Sequence, residues 1–169
     1  VVDVGTGTGL ALHQLTAGNP HGWTVGVDLT AAMIRRARRR MDDLPHSQYE
    51  LHQARATALP FNDDSFDAVF SGYLVDVLPA SDLGLAVKEM ARVFRPGGSL
   101  VLVYLAPPQR PVERLWGPLA RYLPLLLGGA RPLRLRPTLR QCGLSIQKHT
   151  TCAQAGLRSA ITLATVAPA

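Results

Sequence analysis

The opening residues Val1-Val2-Asp3-Val4-Gly5-Thr6-Gly7-Thr8-Gly9 constrain this chain more than any other segment, because a β-branched run passes directly into three alternating glycines. A valine-rich run carrying one acid reads as a buried strand. Glycine at every second position lets the backbone turn tightly and leaves it bare, with no Cβ to obstruct a close approach. Leu10 to Ala17 then sets Leu10, Ala11, Leu12 and Leu15 on one face of a short helix whose N-terminal amides point back at the turn. Strand, glycine turn and helix form the first half of an α/β crossover unit. The turn is either a ligand-binding concavity or a glycine-rich corner that holds nothing.

A second strand with an acid at its tip supports the first alternative. Trp23 to Val27 reads as a short strand ending at Asp28, nineteen residues after Gly9. In Rossmann-type sheets a carboxylate at about this distance accepts bonds from the vicinal hydroxyls of a ribose. The glycine spacing differs from the dinucleotide fingerprint G-x-G-x-x-G, because Leu10 stands where its third glycine belongs. That departure counts against a nicotinamide oxidoreductase, the least favoured of three readings.

With Asp3 two residues before Gly5, the string instead resembles the first motif of class I S-adenosylmethionine-dependent methyltransferases, (D/E)-x-G-x-G-x-G. An acid suits the ammonium of that cofactor, whereas it would repel a pyrophosphate. The segment Asp28-Leu29-Thr30-Ala31-Ala32-Met33 to Arg38 is similar to a D-x-S-x-x-M-L-x-x-A-R segment of the family, Ala54 to Phe61 and Ser65 to Val69 to its G-D-A-x-x-L-P-F and S-F-D-x-V segments, and Arg95-Pro96-Gly97-Gly98 to its R-P-G-G. The likeness covers residues 1 to about 105 and lies nearest the type 11 methyltransferase domain and the ubiquinone/menaquinone biosynthesis methyltransferases. It implies S-adenosyl-L-methionine as cofactor, held by Asp3, Gly5, Thr6, Gly7, Gly9, Asp28, Leu29, Met33, Arg55, Ala56, Ser71 and Tyr73, with Leu29 and Met33 flanking the adenine. Thr30 as a helix cap and Met33 as ordinary core is the plainer alternative. Arg55 departs from the pattern: the family usually has an aspartate there to accept from the adenine amine, and a guanidinium accepts nothing. It either stacks on the purine or points outward into solvent. The resemblance also implies N-terminal helices that would precede Val1 and cover the cofactor.

The expected architecture is α/β, a Rossmann-like, seven-stranded and mainly parallel sheet with helices on both faces and an antiparallel C-terminal hairpin. Strands are expected near 1–4, 24–28, 48–54, 66–71, 98–105, 144–150 and 159–166, and helices at 10–17, 30–43, 81–94, 111–127 and 132–142. At 169 residues and 47% hydrophobic content, one domain suffices. It divides into a cofactor-binding core at 1–105, a helical insert or cap at 106–143 and a strand pair at 144–169. Arg95-Pro96-Gly97-Gly98 reads as a helix stop and a turn.

The function expected is methyl transfer to a small-molecule or lipid-like acceptor; the alternative is a non-catalytic cofactor-binding or interaction domain. Ser71, Tyr73 and Asp76 follow the fourth strand, with Asp76 a candidate base, but no catalytic residue is assigned. Net charge is +6. A nucleic-acid partner is nevertheless disfavoured, since Arg35, Arg36, Arg38, Arg39 and Arg40 share one helix with no interleaved aromatics and read as a solvated face. The apolar stretch 111–129, broken by Arg114, Arg121, Pro118 and Pro124, cannot span a membrane; it either lines a pocket for an apolar acceptor, touches a membrane surface, or packs on the sheet. Cys142 and Cys152 are ten apart and the five histidines are scattered, which suggests no metal site and a reducing cytoplasm. Oligomeric state is left open.

Overall fold

The computed structural model describes residues 1–44, 48–107, 130–154 and 157–166. In chain order these form β1 (Val2–Val4), α1 (Leu10–Ala17), β2 (Thr24–Asp28), α2 (Ala31–Met41), β3 (Tyr49–Gln53), β4 (Phe66–Gly72), α3 (Ala80–Val93), β5 (Phe94–Leu105), α4 (Arg136–Gln141), β6 (Leu144–Gln154) and β7 (Leu157–Val166). The seven strands make one sheet in the order β3-β2-β1-β4-β5-β7-β6. Strands β1 to β5 are parallel, and β7 runs antiparallel to both β5 and β6.

The order reverses at β1. The chain steps outward through β2 to β3 and then returns to place β4 on the other side of β1. Right-handed crossovers therefore set α1 and α2 on one face of the sheet and α3 on the other. The apolar side chains agree with this. Val2, Val4, Val27 and Val69 join Val87, Met90 and Val93 of α3 in one buried cluster, to which Leu135 and Leu139 add the α4 end. On the opposite face Leu12 of α1 and Ala37 and Met41 of α2 are fully buried. The gap between β1 and β4 is the switch point at which open α/β sheets bind ligands.

Two expectations are corrected. Arg95 to Gly98 was expected to be a turn before a strand starting at 98, yet β5 begins at Phe94. Phe94 already pairs with Phe66, and β5 then advances five residues to Ser99 while β4 advances two to Ala68, so the Pro-Gly-Gly segment is a bulge within the strand. The helix expected at 132–142 starts only at Arg136, because the amides before it are used elsewhere: Arg131 N–H donates to Asp76 O and Leu133 N–H to Leu105 O. The helical pattern expected at 111–127 lies outside the described residues.

Candidate functional site

The glycine turn is pinned from both sides. Gly5 N–H and Thr6 N–H both donate to Val27 O at 2.8 and 2.9 Å, which ties the turn to the end of β2. Gly7 N–H donates to Asp28 Oδ2 at 2.9 Å. The other carboxylate oxygen, Oδ1, accepts from Thr30 N–H at 2.9 Å and Thr30 Oγ1 at 3.2 Å. Asp28 is thus fixed at the mouth of the turn, with a lone pair to spare on Oδ2.

All three motif glycines have positive φ, at 79°, 54° and 79°. Their surroundings differ. A Cβ on Gly5 would sit 2.8 Å from Leu74 Cβ, and one on Gly9 would sit 2.9 Å from Ala37 Cα. At Gly7 it would meet nothing closer than 4.0 Å. Two of the glycines serve the protein's own packing, and the middle one leaves open backbone beside Asp28.

Beyond the turn a cleft of about 380 Å³ opens at the carboxyl ends of the first four strands. Val4 and Gly5 form its floor, Asp28 and Leu29 one wall, Ala54 to Thr57 a second, and Leu74, Val77, Leu78, Pro79 and Asp82 the third. Part of its rim is apolar and bare, where Leu29 is 55% exposed and Val77 47%. Ala54 N–H donating to Asp28 O and Gln53 Nε2 donating to Leu29 O hold the second wall against the first. Arg92 of α3 braces the same loop from behind, donating to Leu59 O and Phe61 O and pairing with Asp63 and Glu89. Glu89, held below its usual carboxylate range by the Arg92 guanidinium, accepts from Leu59 N–H.

Five of the twelve expected site residues therefore bear on the cleft together: Gly5, Asp28, Leu29, Arg55 and Ala56. Gly7 joins them through Asp28. The other six are placed differently. Asp3, expected beside the cofactor's ammonium, lies under the turn at 1% exposure, accepting from Thr6 Oγ1 at 2.7 Å and from Leu12 N–H; burial raises its pKa to about 6. Thr6 is consumed by that contact. Gly9 packs on α2, and Met33 sits in the capped first turn of α2 without lining the cleft. Ser71 is buried and donates to Val4 O at 2.8 Å, stitching β4 to β1. Tyr73, a non-glycine residue at φ 56°, reaches away to Ser159 Oγ at 2.9 Å. Asp76 is no base in the cleft: it is fully buried, its two oxygens lie 3.0 and 3.1 Å from the Leu105 amide, and burial lifts its pKa to about 6.

Sequence reasoning missed Leu74, Val77, Leu78, Pro79 and Asp82. The only local signal was an apolar run leading into Pro79 and a helix start, directly after β4. Among the described residues no cluster of histidine, cysteine or acid could hold a metal, and no helix is long and apolar enough to cross a membrane. Arg36, Arg39 and Arg40 of α2 line a separate open groove with Leu10 and His13.

Fold and cleft together define a Rossmann-like α/β domain with a cleft at the carboxyl ends of its parallel strands, and residues 1–98 match the family model described as a methyltransferase domain, so the chain belongs to that family. It is 35% identical over 127 residues to a demethylmenaquinone methyltransferase of Roseiflexus castenholzii, covering 74% of this chain and 51% of the relative. It is 35% identical over 128 residues to a phosphatidylethanolamine N-methyltransferase of Cereibacter sphaeroides, covering 72% and 59%. The chain spans about half the length of the curated relatives it matches. A solved SAM-dependent methyltransferase of Methanosarcina mazei superposes with a TM-score of 0.82 at 19% identity, covering 99% of this chain and 92% of the other, a likeness of fold.

Proposed function

We propose that the cleft binds S-adenosyl-L-methionine and that the chain transfers its methyl group to a small, apolar or lipid-like acceptor. The observation that carries this is the Gly7–Asp28 contact, which places bare backbone and a carboxylate with a free lone pair on Oδ2 side by side next to the switch point. The residues present fit the cofactor in parts. Asp28 suits the vicinal hydroxyls of its ribose, the apolar walls at Leu29, Ala56 and Val77 suit the flat faces of a purine, and the Gly5–Gly7 backbone suits its amino-acid end. Asp3, Thr6, Gly9, Met33 and Ser71 act on this site by shaping it: they hold the turn, the first turn of α2 and the β1–β4 seam. Residues 1–105 are the cofactor-binding core, and β6 and β7 the strand pair beside it.

When bound, the cofactor supplies a methyl group already activated by a positive sulfur. What remains for the protein is to hold the acceptor in line and keep water out, and such positioning supplies several kcal/mol. The apolar acceptor is supported by Leu74, Val77 and Leu78 on the cleft wall and by relatives named for a quinone and a phospholipid substrate. Free Cys142 and Cys152 support a reducing cytoplasmic setting.

Calorimetric titration with S-adenosylhomocysteine and NAD in parallel tests the reading. Saturable binding of the first and none of the second is expected, and Asp28→Ala is expected to weaken it more than tenfold, about 1.4 kcal/mol. Binding of NAD alone would overturn it.

A further inference from the structure

Across the mouth of the cleft two opposite charges face each other without closing. Arg55, on the wall after β3, brings Nη2 to 3.6 Å from Asp82 Oδ2, on the first turn of α3. That is an ion pair but too long for a hydrogen bond. Asp82 Oδ1 accepts from Ser81 Oγ at 2.9 Å, while Oδ2 accepts no hydrogen bond from any described residue. Both side chains line the cleft, and the Asp82 side chain is 25% exposed. The helix start favours a carboxylate at this position.

A guanidinium only donates and a carboxylate only accepts. The edge of adenine carries the complementary pair: an exocyclic amine that donates, and beside it a ring nitrogen that accepts. Hypoxanthine reverses both, with an oxo group that accepts and a ring N–H that donates. Resting on the cofactor reading above, we propose that Arg55 and Asp82 together read the purine edge, Asp82 Oδ2 accepting from the exocyclic amine and Arg55 donating to the adjacent ring nitrogen. The acceptor that Arg55 cannot supply from the β3 loop comes instead from α3, and the pair makes the site selective for adenine.

The test is calorimetry with S-adenosylhomocysteine and S-inosylhomocysteine on the wild-type chain, Asp82→Ala and Asp82→Asn. The wild type is expected to prefer the adenine ligand by about tenfold or more, since the oxo group would face a carboxylate. Asp82→Ala narrows that ratio to about threefold or less, and Asp82→Asn, whose amide can donate to an oxo group, narrows or reverses it. Thermal melts report whether the variants are folded; Asp82 is a partly exposed first-turn residue, and both are expected to melt close to wild type. A wild-type ratio near one, or a ratio unmoved in both variants while S-adenosylhomocysteine still binds, overturns the proposal and leaves the cofactor reading standing. Absence of S-adenosylhomocysteine binding to the wild type overturns both.

Discussion

At Gly9 the space a side chain would occupy is taken by Ala37 of α2, whereas at Gly7 it is open beside Asp28, and the two positions therefore separate stability from binding. Gly9→Ala meets backbone at 2.9 Å as well as the cost of positive φ, so a loss of roughly 2–4 kcal/mol is expected in denaturant melts. Gly7→Ala carries only the left-handed backbone cost of about 1 kcal/mol, and its main effect is expected in calorimetry, as weaker S-adenosylhomocysteine binding. Equal stabilities for the two would show that the α1–α2 approach is looser than the contacts indicate. The G-x-G-x-G spacing made the turn legible. It did not reveal which glycine faces a ligand, because the partners that decide this, Leu74 and Ala37, arrive from remote parts of the chain. The place of Asp3 was hidden for the same reason: its position in the motif suggests a ligand contact, and the fold buries it beneath the turn with its carboxylate on Thr6.

Where one element meets another, buried acids do the joining. Asp76, just past β4, has no charged partner among the described residues and serves the Leu105 amide at the end of β5, and its pKa is pushed up to about 6 by desolvation. Asp3 is raised to about 6 in the same way. For a raised carboxylate the native state binds more protons than the unfolded chain between the two pKa values, so stability falls as pH rises through that window. The window here runs from 3.8 to about 6. Glu89 works in the opposite sense, its lowered pKa adding stability that is lost on acidification. Asp76→Asn keeps an acceptor for Leu105 and removes the buried charge. The variant is expected to show a flatter dependence of Tm on pH between 4 and 7, with a gain at pH 7 on the order of 2 kcal/mol. An unchanged slope in calorimetric melts would mean that Asp76 stays ionised in the fold. Element boundaries followed local chemistry where they could be read, as at Thr30, whose hydroxyl caps α2 by accepting from Met33 N–H. They could not be read at Phe94, because pairing with Phe66 is a tertiary event that extends β5 past a proline and two glycines.

On the scale of the whole molecule, the alternation of strands and helices and the short link between the last two strands announce a mostly parallel sheet with a reversed end. They do not announce that the last strand is the inner one. β7 inserts between β5 and β6, so the final described strand bridges the parallel core to an edge strand that, among the described residues, pairs with β7 alone. Its polar side chains carry the same connection inward. Thr162 Oγ1 lies 2.9 Å from His149 Nδ1 on β6 and 3.3 Å from Tyr104 OH on β5, and Ser159 Oγ reaches Tyr73 beside the cleft. A chain ending at Gln154 would leave β6 without a ladder and one side of β5 unpaired, groups whose burial is costly when unsatisfied. Such a chain is expected to lose its cooperative thermal transition. Thr162→Val, which is close in shape, is expected to remain folded and to lose about 1–3 kcal/mol by taking a partner from the buried Tyr104 hydroxyl and the half-buried His149 ring. If the truncated chain melts cooperatively, β7 is an addition to a core that stands alone; if Thr162→Val is neutral, the strand is held by its backbone ladders without help from these side chains.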